Sequence, residues 1–102
     1  MPVLGERRAL ERAIVAEAPD APGVYALFES EAVVLYGSAF GGTITIRSCL
    51  GEHLSGSRAL PKHSATHCAW EISLNPAARE RQLLDEHRAL HGCLPRCNQE
   101  AN

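Results

Sequence analysis

No apolar run in these 102 residues approaches the roughly 20 that a membrane-spanning helix needs, so no membrane helix is expected. The first ten residues, Met1 to Leu10, carry charges where a secretory leader would be apolar, and a cytoplasmic protein is the expectation. The chain is also short of positive charge. Ten Lys and Arg stand against twelve Asp and Glu, for a formal net charge of -2. Affinity for a phosphate backbone comes largely from Lys and Arg, so weak, transient or regulated nucleic-acid binding fits this charge better than tight non-specific binding. Arg58, Lys62 and His63 in one loop offer a local basic segment for it. Aromatics make up only 5% of the chain, and Tyr25 and Tyr36 are its only tyrosines. Cysteine is limited to Cys49, Cys68, Cys93 and Cys97, which are expected to be reduced thiols in that setting. Repeats, low-complexity stretches and interdomain linkers are absent.

What is present suits one small domain. Hydrophobic residues make up 45% and charged residues 22%, enough apolar surface for a core without staples. Helical spacing of Leu10, Ala13 and Ile14 predicts a helix over 6–17, ended by Pro19, Pro22 and Gly23. Residues 24–29 and 32–36 are rich in β-branched and aromatic side chains and flank a polar turn, the pattern of a hairpin. A glycine-rich loop, 37–42, follows. Ile46, Leu50 and Leu54 predict a second helix over 45–55, with Cys49 and His53 on the same stripe. A basic loop at 55–64 leads to a third strand, 65–73. Pro76 near its start and Gly92 past its end frame a third helix, 76–91, before an irregular tail. The order α-β-β-α-β-α predicts an α/β (α+β layered) domain, a three-stranded antiparallel sheet flanked by helices.

Certain residues recur at the joints of this plan. Gly23-Val24-Tyr25 opens the first long strand, and Leu35-Tyr36-Gly37 ends its partner. His53 lies on the next helix, Glu80 stands in Glu-x-x-Leu-Leu near the start of the last helix, and Pro95-Arg96-Cys97-Asn98 closes the set. This ordered set resembles the GIY-YIG nuclease superfamily over about residues 22–98, with the leading helix outside it. The resemblance implies a single GIY-YIG-like domain that hydrolyses DNA phosphodiester bonds with one divalent ion, Mg²⁺ or Mn²⁺. It implies that Tyr25, Tyr36 and His53 handle water and proton transfer, that Glu80 holds the metal, and that Asn98 supports the site. Such chemistry needs an activated water, a cation on the phosphate oxygens and a carboxylate that leaves coordination positions open. A standalone domain of this kind would act on DNA structures, ends or damage, as in DNA repair, or through a protein partner or homodimer.

The face of the last helix separates two glutamates. At 100° per residue, Leu83, Leu84, His87 and His91 fall within about 60° of Glu80, whereas Glu86 lies about 120° away. Glu80 is therefore expected to face inward and Glu86 to face solvent. Two motif positions depart from the family. Its arginine would stand four residues before His53, where this chain has Cys49. Arg47, the nearest substitute, lies about 160° around the helix from that position. In the second motif, either one residue is missing or Leu35 takes the tyrosine's place, which would put Tyr36 on the opposite strand face. These departures also fit a catalytically inactive nucleic-acid- or protein-binding domain on the same fold. Cys93-x3-Cys97 and His63-x3-His67-Cys68 lack the tight C-x2-C spacing of common zinc sites, so no structural zinc is expected. Cys49 and His53 form an i, i+4 pair within reach of each other, and buried cysteine is ordinarily core.

Overall fold

In the computed structural model, the described residues are 5–55, 65–95 and 97–98. The basic loop with Arg58, Lys62 and His63 lies outside them, as does Arg96. The elements are β1 (Arg8–Ala9), α1 (Arg12–Glu17), β2 (Gly23–Glu29), β3 (Ala32–Ala39), α2 (Ile46–Ser55), β4 (His67–Ile72) and α3 (Pro76–His91). The strands form one antiparallel sheet in the order β1-β4-β2-β3. Helices α1 and α2 pack together over one face of this sheet, and α3 covers the other. No helix among the described residues is long and apolar enough to cross a membrane.

Four strands replace the expected three, and the reason lies at the N-terminus. Helical spacing suggested a helix from residue 6, but Arg8 and Ala9 instead pair with Cys68 and His67. The Leu10 N–H continues this pairing to the Thr66 carbonyl at 2.9 Å. Helix α1 begins only at Arg12. Helix propensity favours Arg and Ala by tenths of a kcal/mol. Pairing along the open edge of β4 satisfies backbone groups and also seats the Arg8 guanidinium over the Trp70 ring, 5.2 Å from its centroid.

The expected hairpin forms around Ser30, which takes a left-handed φ of 56°. Its second strand runs three residues further than alternation suggested. Gly37, Ser38 and Ala39 are strand, not loop, because they pair with Tyr25, Val24 and Gly23. Helix α2 starts with reciprocal capping: Ser48 N–H donates to Thr45 Oγ1 at 3.2 Å, and Thr45 N–H donates to Ser48 Oγ at 2.9 Å. Helix α3 has the expected bounds, and Gly92 closes it at φ 78° with its N–H on the Arg88 carbonyl.

Two apolar layers hold the sandwich. Tyr25, Leu27, Leu35, Ile46, Leu50 and Cys68 form the larger layer, under α1 and α2. Val24, Ala26, Ala69 and Leu83 form the smaller, under α3. Strand β2 lies between two partners and is buried from Gly23 to Leu27, so it feeds both layers.

Candidate functional site

Tyr25 points from β2 into the α2 layer, and its hydroxyl shares a 3.1 Å hydrogen bond with His53 Nε2. The two rings meet edge-on with centroids 5.5 Å apart. Both are interior groups, with 1% and 7% of their surface exposed. Gly37, paired with Tyr25 across the hairpin, makes room for the ring. A Cβ there would sit 2.8 Å from Cε2 and closer still to Cζ and the phenolic oxygen. Cys49, at the position where the family carries arginine, is buried against the same layer.

Tyr36 is not part of this group. It pairs with Ala26 and packs on the α3 face, opposite Tyr25. Of the two registers open in the sequence, the one with Leu35 on Tyr25's face is adopted. The expectation that both tyrosines share one site is corrected here. The cause is a bulge: Leu27 pairs with Leu35, but Phe28 pairs with Val33, so Val34 is an extra residue in β3. Burial raises the Tyr36 phenol above its ordinary pKa; nearby Glu86 adds to the rise, and Arg79 opposes it.

Arg47 points elsewhere again. Its Nε donates to the Ala18 carbonyl at 2.9 Å, so it closes the C-terminus of α1. Asn98, expected to support the site, binds the backbone of Tyr36. Its Oδ1 accepts the Tyr36 N–H at 2.9 Å, and its Nδ2 donates to the Tyr36 carbonyl at 3.0 Å. Strand β3 is an edge of the sheet. The amide thus imitates a neighbouring strand at one residue and blocks pairing there.

Glu80 borders a shallow hollow with Ser38, Phe40, Ala77, Ala78, Arg81 and Leu84. None of Tyr25, Tyr36, Arg47, His53 and Asn98 lines it. Among the described residues, no three His, Cys, Asp or Glu side chains converge as a metal cage would require. A divalent ion there would rest on one carboxylate beside the cation of Arg81.

The helix-face expectation for α3 also needs correction. Its buried line runs through Pro76 and Leu83. Glu80 and Glu86 sit about 60° to either side of Leu83, so both are partly buried. Glu86 is not a solvated-face residue; its Oε2 is buried and has no hydrogen-bond partner. It lines a cleft of about 750 Å³ between the start of β3 and the C-terminal half of α3, together with Tyr36, Leu83, His87 and Leu90. His87 meets Tyr36 edge-on at 6.1 Å between centroids and stacks obliquely on His91 at 4.4 Å. On the rim of the α3 layer, Arg79 and Glu71 form a two-pronged pair, with Nε to Oε2 at 2.7 Å and Nη2 to Oε1 at 3.0 Å. That pair, with Glu86 and Tyr36 nearby, holds the guanidinium above its ordinary pKa.

Sequence reasoning missed this second cluster because its wheel was centred on Glu80. Centring it on Leu83, two helical turns after Pro76, would have placed Glu86 and His87 on the inward face.

The family model that matches the chain is a domain of unknown function, DUF7508, over residues 1–90. No curated protein and no solved structure matches it.

Proposed function

We propose that this chain, which belongs to the DUF7508 family, is a catalytically inactive domain on a GIY-YIG-like fold that holds DNA weakly without cutting it. The dispersal of the groups that phosphodiester hydrolysis would have to bring together carries this reading. Tyr25 and His53 are enclosed under α2, Tyr36 faces α3, Arg47 is committed to the Ala18 carbonyl, and Glu80 lines a separate hollow. A general base must reach the water it deprotonates, and an arginine must reach the phosphate whose charge it stabilises. Loss of one such stabiliser typically costs about a hundred- to thousand-fold in rate. Here the arginine position holds a buried cysteine as well. The net charge of -2 favours weak, salt-sensitive binding directed by DNA structure. Cys49, Cys68, Cys93 and Cys97 form no disulfide, which suits a cytoplasmic setting.

One observation favours the active reading, a metal-dependent DNA endonuclease using Mg²⁺ or Mn²⁺ at Glu80. It is the 3.1 Å Tyr25–His53 contact between two residues placed at motif positions. Plasmid nicking separates the two readings. Purified protein with Mg²⁺ or Mn²⁺ is expected to leave supercoiled plasmid intact, as is its Glu80→Ala variant. It should also retain fluorescently labelled branched DNA at 50 mM salt and release it at 200 mM. Metal-dependent nicking that disappears in Glu80→Ala would establish the enzyme. Failure to retain DNA at low salt would remove nucleic acid from the proposal.

A further inference from the structure

The cleft between β3 and α3 stands apart from every group discussed for phosphodiester chemistry except Tyr36, and what it offers is of one sign. Its volume, about 750 Å³, lies within the range typical of small-molecule sites, roughly 300–1,000 Å³. Its walls are largely aliphatic, from Val33, Leu83, Leu90 and Leu94. Its polar groups are mainly acceptors. Glu86 brings a carboxylate whose Oε2 is buried without a partner, and Glu31 brings a second carboxylate at the mouth. His87 Nδ1 lies 2.9 Å from the Cys93 carbonyl. A carbonyl can only accept, so Nδ1 is the donor, and in the neutral tautomer this contact selects, Nε2 is a further acceptor. No lysine or arginine borders the cleft among the described residues. Arg79, whose charge is felt by Tyr36 and Glu86, is held by Glu71 through two hydrogen bonds.

A buried carboxylate oxygen without a donor costs free energy, and native proteins rarely leave one so. Glu86 lines the cleft, so its carboxylate is the polar group there that lacks a donor. A donor arriving there would satisfy it. We infer that this cleft binds a small organic cation, with a flat apolar body against Val33, Leu83 and the edge-on Tyr36 and His87 rings and a charged N–H group on Glu86. The aliphatic walls select the body, and the excess of acceptors selects the charge. An anion would meet two carboxylates, and a neutral amide would forgo the ion pair. The site is independent of whether the domain cuts or holds DNA.

Benzamidine is a suitable probe, because it joins a planar ring to an amidinium. Titration calorimetry on the full chain should show benzamidine binding at least tenfold more tightly than its neutral analogue benzamide, and no binding by benzoate. Glu86→Gln keeps the shape and removes the charge, and should erase the preference for benzamidine over benzamide. Asp85→Asn, on the exposed side of the same helix, should retain it. In amide NMR spectra, benzamidine should shift the signals of Val33, Tyr36, Leu83 and His87. Equal binding of benzamidine and benzamide by the unaltered chain would overturn the inference without recourse to a variant. So would the absence of benzamidine binding at millimolar concentration, an unchanged preference in Glu86→Gln, or shifts confined to the α2 face.

Discussion

Gly37→Ala should destabilise the domain severely, against the usual effect of that substitution. Replacing glycine by alanine in a strand ordinarily stabilises by about 0.4–1 kcal/mol, because the unfolded chain has less freedom to lose. Gly37 has no positive φ to protect, so backbone strain does not enter. The obstacle is the Tyr25 ring. The new methyl would stand 2.8 Å from Cε2 and nearer to Cζ and the hydroxyl, inside the 3.0 Å that real Cβ atoms essentially never breach. The ring is 1% exposed and its hydroxyl is bonded to His53, so it has nowhere to swing without leaving that bond. Overpacking of this kind costs roughly 1–3 kcal/mol. Separating two buried polar partners adds about 1–3 kcal/mol. Set against the entropic gain, the net loss is on the order of 1–5.5 kcal/mol. At about 4 °C or more per kcal/mol for a domain of this size, thermal unfolding followed by circular dichroism should fall by at least about 4 °C. Tyr25→Leu removes the hydroxyl and the ring together, so Gly37→Ala should cost much less in that background. A Gly37→Ala melt within 2 °C of the unaltered chain would refute the seating of Tyr25 over Gly37.

Two further perturbations probe other parts of the structure. Asn98→Ala removes both hydrogen bonds to the Tyr36 backbone, which should cost roughly 1–3 kcal/mol and speed hydrogen exchange at the Tyr36 amide. With its edge of β3 uncovered, that variant should also self-associate more by sedimentation. Burial raises the Cys68 thiol from 9.0 to about 11, with Arg8 partly opposing the rise. The folded state therefore holds the proton more tightly than the unfolded chain. The contribution is complete below pH 9 and is lost as pH rises to 11, on the order of 2–3 kcal/mol. Urea denaturation across that window should show a steeper decline for the unaltered chain than for Cys68→Ala; parallel declines would contradict the burial of the thiol.

Much of the fold was legible because its signals are local. Pro76 and Gly92 bracket α3 by fixing φ at one end and allowing φ 78° at the other. Apolar periodicity located α2, and the β-branched runs located the hairpin. What was illegible depends on partners distant in sequence. Arg8 and Ala9 are strand only because β4 has an open edge some sixty residues later. Gly37 to Ala39 look like loop because glycine and serine are poor strand formers, yet they continue β3 opposite Gly23 to Tyr25. The Tyr25–His53 meeting was foreshadowed by the motif. The surroundings of Glu86 were not, because the helix wheel gives angles but not which angle the sheet will cover.

The decisive feature for function is a single residue of register. Had β3 paired with β2 without interruption from the Glu29–Ala32 pair onward, Tyr36 would have stood directly across from Tyr25, and both phenols would have faced α2. Val34 enters as an extra residue between the Leu27–Leu35 and Phe28–Val33 pairs, and every later side chain of β3 changes face. Leu35 and Gly37 then fall to the α2 side, where a leucine fills the core and a glycine admits the Tyr25 ring. Tyr36 falls to the α3 side, beside Glu86 and His87. The bulge also turns the Tyr36 backbone toward the edge, where Asn98 holds it. One inserted residue thus removes a phenol from the face where the motif would use it and supplies the aromatic wall of the opposite cleft. The departure of Tyr36 from the α2 face and its arrival beside Glu86 follow from the same period of two, which is why the proposed cation site is the first place to look for a ligand.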